Sequence, residues 1–300
     1  MAYWEKSRYG GPAIESKFFK ARKIFPDVTL ISGLAGEQCY LIEGREKALL
    51  IDALSGIGSL RAFVRELTDL PVELVLTHNH VDHIGAAFEY GKAYIHPEDI
   101  PGLYEMGDAS ARLGFVDSQP RAGRPPLLPE DVTPSVPIRT FPANEGTVFD
   151  LGGKALEVIH VPGHTWGSIV LLDRAQRVIY SGDAVNANTL LFLGGASIEE
   201  YREALLRLNG YAEACDLLWG GHGGVSVPFS IVPEAIRLCE EILAGTDDGV
   251  PGDFLGRPAL YARKKDRFFR RLDGGIANIA YSRDRLWKEQ VAAPAGHRLG

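Results

Sequence analysis

The stretch VELVLTHNHVDH, residues 72–83, decides how the chain is read. Its first half is a short, nearly continuous apolar run, the composition of a buried β-strand. It leads directly into His78-Asn79-His80-Val81-Asp82-His83, four metal-capable side chains within six residues. Imidazole suits zinc and iron, and a carboxylate supplies a hard oxygen that offsets the charge of an ion. On an extended or turning backbone His78 and His80 can converge on one ion. Asp82 and His83, beyond the turn, can reach a second beside it.

Working outward, short apolar runs alternate with segments of helical period. VTLISG (28–33), CYLIEG (39–44) and ALLIDAL (48–54) read as successive strands, followed by Ile57, Leu60, Val64 and Leu67 at helical spacing. The second half repeats the pattern with ALEVIHV (155–161), SIVLLD (168–173) and RVIYSGDA (177–184). Ser197 and Glu200 form a candidate capping box for a helix carrying Ile198, Tyr201, Leu205 and Leu208. After DLLWGGHG (216–223), a second helix from Val232 to Leu243 is closed by Gly245. Three more ligand candidates follow strands: His164 in VPGHTWGS, Asp183 in YSGDA and His222 in WGGHGG. Loops along a sheet edge commonly build a site in this way.

Composition narrows the class. The 300 residues are 45% hydrophobic and 24% charged, with a net charge of −7. That balance disfavours nucleic acid, which needs a basic footprint. No apolar run approaches the roughly 20 residues of a membrane span, and the N-terminal MAYWEKSRYGGP lacks the apolar core of a secretory signal. A cytoplasmic protein with a small-molecule substrate, with no membrane or nucleic-acid partner, is the expectation; a homodimer is left open. Cys39, Cys215 and Cys239 form no CxxC pair and read as buried free thiols. A GxSxG elbow and an HExxH helix are both absent.

The order HxHxDH, distant His, Asp and last His resembles the metallo-β-lactamase superfamily over about residues 25–245. The resemblance implies an α/β fold, an αββα four-layer sandwich of two mixed β-sheets flanked by helices. It implies a catalytic domain over 1–245, with 246–300 as an extension packed on it. It assigns His78, His80 and His164 to one metal and Asp82, His83 and His222 to the other, with Asp183 bridging. Two divalent ions are implied, zinc first, with iron or manganese as alternatives. The implied reaction is hydrolysis by a metal-bound hydroxide, with Asp82 and Asp183 as the catalytic carboxylates.

The bond cleaved is set by the loops around the metals. The extension after the last ligand resembles that of glyoxalase II-like enzymes, so an ester-type bond, thioester or lactone, comes first. A mononuclear iron persulfide dioxygenase-like enzyme, a β-lactamase and a phosphodiesterase are the alternatives. Residues 100–137 read as an irregular, proline-rich insertion acting as a lid, with Tyr104, Met106, Leu113 and Phe115 facing the ligand. Trp166, Asn186, Asn188 and Phe192 follow ligand turns and are the other substrate-binding candidates. The basic stretch RKKDRFFRR (263–271) reads as a solvated face or as a holder for an anionic part of the substrate.

Overall fold

The computed structural model describes residues 13–119, 125–254 and 256–292. By its contacts the chain divides into two compact units, 1–143 with 147–157 and 221–224, and 144–146 with 158–220 and 225–300.

The first unit is built on an eight-stranded sheet whose strands follow one another in chain order. These are β1 (Ile14–Glu15), β2 (Lys20–Phe25), β3 (Val28–Ser32), β4 (Gln38–Glu43), β5 (Ala48–Ile51), β6 (Val72–Val75), β7 (Lys92–Ile95) and β8 (Arg139–Pro142). Pairing is antiparallel through β5 and parallel from β5 to β8. β3 and β5 are buried at every position, which is why β5 is an unbroken apolar run and β3 departs from one only at the small hydroxyl residues Thr29 and Ser32. The crossover from β5 to β6 carries α1 (Leu60–Leu67), whose first turn is capped by Ser59 accepting from the Ala62 N–H. Leu60, Phe63 and Val64 of α1 join Leu41, Leu50, Leu74, Ile84 and Phe88 in one core.

After β6 the chain runs extended through His80 and turns into α2 (Val81–Ile84), then α3 (Ala87–Tyr90). The insertion expected to be irregular contains two helices, α4 (Leu103–Met106) and α5 (Ala109–Ser118). Residues 120–124 lie outside the described residues. Its proline content hid these helices, because the prolines that break them cluster beyond residue 118.

The hairpin of β9 (Val148–Asp150) and β10 (Ala155–His160) leads into the second unit. There β11 (Ile169–Asp173) and β12 (Val178–Gly182) follow. The next elements are β13 (Thr189–Leu190), α6 (Ile198–Asn209), β14 (Leu217–Gly220), β15 (Ser226–Pro228) and α7 (Ile231–Ala244). The second sheet is mixed and ordered β15-β14-β12-β11-β10-β9. The expected capping box forms: Ser197 Oγ accepts from the Glu200 N–H at 3.2 Å and the Glu200 carboxylate accepts from the Ser197 N–H at 3.0 Å. Gly245 closes α7 with φ 67°, the left-handed conformation that glycine adopts without strain. α6 and α7 pack on each other and on Ile159, Val170, Leu172 and Leu218. The C-terminal segment adds β16 (Val250–Phe254), β17 (Arg257–Tyr261) and β18 (Ile279–Tyr281), which form a four-stranded sheet with β13. Among the described residues no helix is long and apolar enough to cross a membrane.

All three cysteines are free and buried. Burial raises the thiol pKa of each, with Cys215 pushed up to about 11. The thiolate is the reactive form, so at pH 8 none of the three should react with a disulfide reagent in the native protein, and all three should react in denaturant. A thiol that titrates rapidly in the native state would contradict this packing.

Candidate metal centre

The turn that follows β5 builds the first unit's part of the site. Asp52 and Leu54 both have left-handed backbones, φ 67° and 51°, an unusual conformation for aspartate and a strained one for leucine. This shape lets the turn grip α2. The Ala53 N–H donates to the His83 carbonyl at 2.7 Å, and the Leu54 and Ala53 carbonyls accept from the Gly85 and Ala86 N–H groups at 2.7 and 2.8 Å. The approach is so close that a Cβ on Gly85 would lie 2.1 Å from the Ser55 carbonyl carbon. No other residue fits there.

The Asp52 carboxylate, 1% exposed, organises the histidines. It accepts from the Thr77 N–H at 2.7 Å, the Thr77 hydroxyl at 2.8 Å and His83 Nδ1 at 2.8 Å. Because the Thr77 hydrogen is committed to Asp52, its oxygen is left to accept from His78 Nδ1, 3.0 Å away. Both imidazoles are thereby assigned the Nδ1–H tautomer, with the Nε2 lone pairs left as ligands, an arrangement common to metal-bound histidine.

Around this anchor the unit gathers five of the seven predicted ligands. The His78 ring lies 4.1 Å from that of His83 and 4.8 Å from that of His80, centroid to centroid. Asp82 Oδ2 is 3.2 Å from His222 Nε2 and 3.7 Å from His83 Nε2. Donors about 2.0–2.2 Å from a tetrahedral ion stand about 3.3–3.6 Å apart, so Asp82, His83 and His222 suit a divalent cation. His222 is placed by a bridge of its backbone to Glu37. The buried Glu37 carboxylate accepts from the Ser55 hydroxyl at 2.5 Å and the Ala35 N–H at 2.8 Å. Burial pushes its pKa up, against these hydrogen bonds, and the charge of Asp82 adds to the rise.

In the second unit His164 and Asp183 come together, Nε2 to Oδ2 at 3.8 Å. His164 Nδ1 donates to the Leu190 carbonyl of β13 at 2.8 Å, which again leaves Nε2 as the ligand nitrogen. Tyr201 of α6 serves both ligand turns. Its hydroxyl donates to the Ala184 carbonyl at 2.8 Å, and its ring lies where a Cβ on Gly163 would be, 2.2 Å away.

The substrate-binding candidates are dispersed. Tyr104 turns its hydroxyl to the Ile138 backbone, and Leu113 lines a groove of about 730 Å³ with Pro125, Pro126 and Val132, none of them a ligand candidate. Phe115 is half-buried on α5. Trp166 is 8% exposed and its carbonyl accepts from His160 Nε2 at 2.8 Å. Asn186 accepts from the Asn188 N–H at 2.8 Å, and Phe192 packs against Ala259, Tyr261 and Ala280.

The model of the metallo-beta-lactamase superfamily matches residues 33–215. The chain belongs to the metallo-β-lactamase superfamily. The fold class read from the sequence holds, with mixed sheets and flanking helices. Among curated relatives, the acyl-coenzyme A thioesterase MBLAC2 of Gallus gallus is 30% identical over 182 residues, 56% of this chain and 65% of the relative. The hydroxyacylglutathione hydrolase GloC of Haemophilus influenzae is 32% identical over 161 residues, 53% of this chain and 68% of the relative. The matches to MBLAC2 thus span just under two thirds of that protein's length. Of solved structures, a metallo-beta-lactamase from Pontibacter korlensis superposes with a TM-score of 0.53 at 19% identity, covering 74% of this chain and 99% of that one. The sec-alkylsulfatase Pisa1 from Pseudomonas gives 0.56 at 15% identity, covering 75% and 42%. At these identities the structures speak for the fold alone.

The sequence reading missed Asp52, Thr77 and Glu37. Asp52 carried a usable signal, since it ends an apolar strand as Asp183 does. Asp52→Asn keeps the shape and removes the charge that fixes two histidines. It should weaken metal binding about 10–100-fold in a chelator competition while the circular dichroism of the fold is unchanged. Wild-type affinity in that variant would remove Asp52 from the centre.

Proposed function

We propose that the chain is a metal-dependent hydrolase of thioesters. The observation that carries this reading is the Asp82, His83 and His222 cluster beside His78 and His80, held by the Asp52 network in a superfamily member whose relatives are named as thioester hydrolases. Asp82, His83 and His222 would hold one ion, His78, His80 and His164 the second, and Asp183 would bridge, as the family pattern has it. Bound divalent ions supply a lowered water pKa and a Lewis acid for the carbonyl oxygen.

The chain's own residues supply orientation and charge. Asp52 and Thr77 hold His78 and His83 by their Nδ1–H groups, with Nε2 directed away from those partners. Leu190 does the same for His164. Asp82 and Asp183 bring negative charge beside imidazole nitrogens, at 3.2 and 3.8 Å, and so lower the cost of gathering cations there. In the overall reaction a water oxygen bonds to the thioester carbonyl carbon, the C–S bond breaks with its electron pair on sulfur, and the water protons go to the thiol and to solvent. A thiolate is a good leaving group, so a general acid for the leaving sulfur is not required of the protein.

Metal-loaded protein should hydrolyse acyl-coenzyme A or acylglutathione, lose the activity on exhaustive chelation and regain it with zinc. Asp82→Asn should lower kcat by at least about 100-fold. Two ions per chain are expected by elemental analysis. Undiminished turnover by a verified metal-free sample, or no turnover of either thioester by the loaded one, would overturn the proposal.

A further inference from the structure

Five of the six cations of the basic stretch 263–271, all but Lys264, are of two kinds. Arg263 pairs with Glu241, Arg270 with Asp266 at 2.8 Å, and Arg271 with Glu234 and Asp273 at 2.6 and 2.5 Å. These three are structural. Lys265 and Arg267 have no ion-pair partner among the described residues and lie on aromatic faces instead. Lys265 Nζ is 4.2 Å from the Tyr261 ring centroid and 3.9 Å from that of Phe269, and the Arg267 guanidinium is 4.6 Å from that of Phe268. Phe268 and Phe269 are 60% and 40% exposed, although buried positions are the rule for phenylalanine.

Two further observations point to a ligand. The Tyr261 hydroxyl, on a residue 1% exposed, lacks a hydrogen-bond partner among the described residues. Asn188 donates its Nδ2 hydrogen to the Phe269 carbonyl at 2.9 Å, while its buried Oδ1 has no donor among the described residues. Buried polar atoms of this kind are normally satisfied. Asn188 lies five residues beyond Asp183, so the loop is pinned to the turn that carries a ligand candidate.

We propose that Lys265, Arg267, Phe268 and Phe269, with Tyr261 and Asn188, bind a phosphorylated purine nucleotide, the handle of a coenzyme A-type thioester. The inference rests on the thioesterase reading and narrows its substrate. Phosphate oxygens match unpaired lysine and arginine. A purine matches exposed aromatic rings, on which bases stack without needing a particular sequence. The Asn188 carbonyl oxygen suits an exocyclic amine. A glutathione handle fits poorly: its α-ammonium needs a carboxylate, the acids of this loop are already paired, and it has no flat ring to cover Phe268 and Phe269.

The test uses the full chain with metal bound. Adenosine 3′,5′-bisphosphate should bind by calorimetry and compete with acyl-coenzyme A, while inorganic phosphate and glutathione at the same concentration should not. The double variant Lys265→Met with Arg267→Gln keeps the apolar stems and should weaken that binding at least about tenfold. It should raise KM for acyl-coenzyme A similarly, with kcat and the kinetics of acyl-pantetheine unchanged. Nucleotide binding that is absent from the wild type, or unaffected in the double variant, overturns the inference even if thioesters are hydrolysed. Nucleotide binding that depends on Lys265 and Arg267 without any thioester turnover supports the site and refutes the thioesterase reading.

Discussion

Asp52 accepts three hydrogens, from the Thr77 amide, the Thr77 hydroxyl and His83, at a position where water has almost no access. Burying a carboxylate costs several kcal/mol, and charge-assisted hydrogen bonds of this length offset much of it. The arrangement survives only if β5, β6 and α2 keep their spacing, because the acceptor follows β5, two donors come from Thr77 after β6 and the third from His83 of α2. The left-handed backbone at Asp52 and Leu54 and the close approach of Gly85 to Ser55 follow from the same constraint. A cation bound by His83 would also balance the charge of Asp52 through the imidazole between them.

Arg112 extends that constraint into the insertion. It is fully buried, and its guanidinium donates to the carbonyls of Gly107, Ser55, Gly56 and Thr133, the first at 2.9 Å. Burial lowers its pKa, yet its guanidinium is satisfied by these backbone oxygens and by the Ser135 hydroxyl at 3.2 Å. One side chain of α5 therefore fastens the insertion to the turn that grips α2. Residues 103–118 thus act as a brace for that turn, and the same helix is packed against α2.

In the second unit the comparable link is β13. Its Leu190 carbonyl orients His164, and the strand pairs in parallel with β18 of the C-terminal segment. Tyr201 holds the turns of His164 and Asp183 from the α6 side. The C-terminal residues therefore contribute to the geometry of a ligand turn through a hydrogen-bonded strand.

Much of this was legible in the sequence, for identifiable reasons. The largely apolar run at 28–32 and the unbroken one at 48–51 mark strands buried on both faces, and the Ser197–Glu200 pair marks a helix start, because these signals are local. HNHVDH announces metal chemistry because four ligating side chains in six residues have little other use. The helices of 103–118 were hidden by the prolines that follow them. Asp52, Thr77 and Glu37 became visible only in three dimensions: their roles depend on which donors the folded chain brings within about 3 Å, and hydrogen-bond partners from separate strands leave no periodicity to read. The same holds for the cations of 263–271, where the sequence shows six positive charges and only the tertiary structure decides which of them are already neutralised.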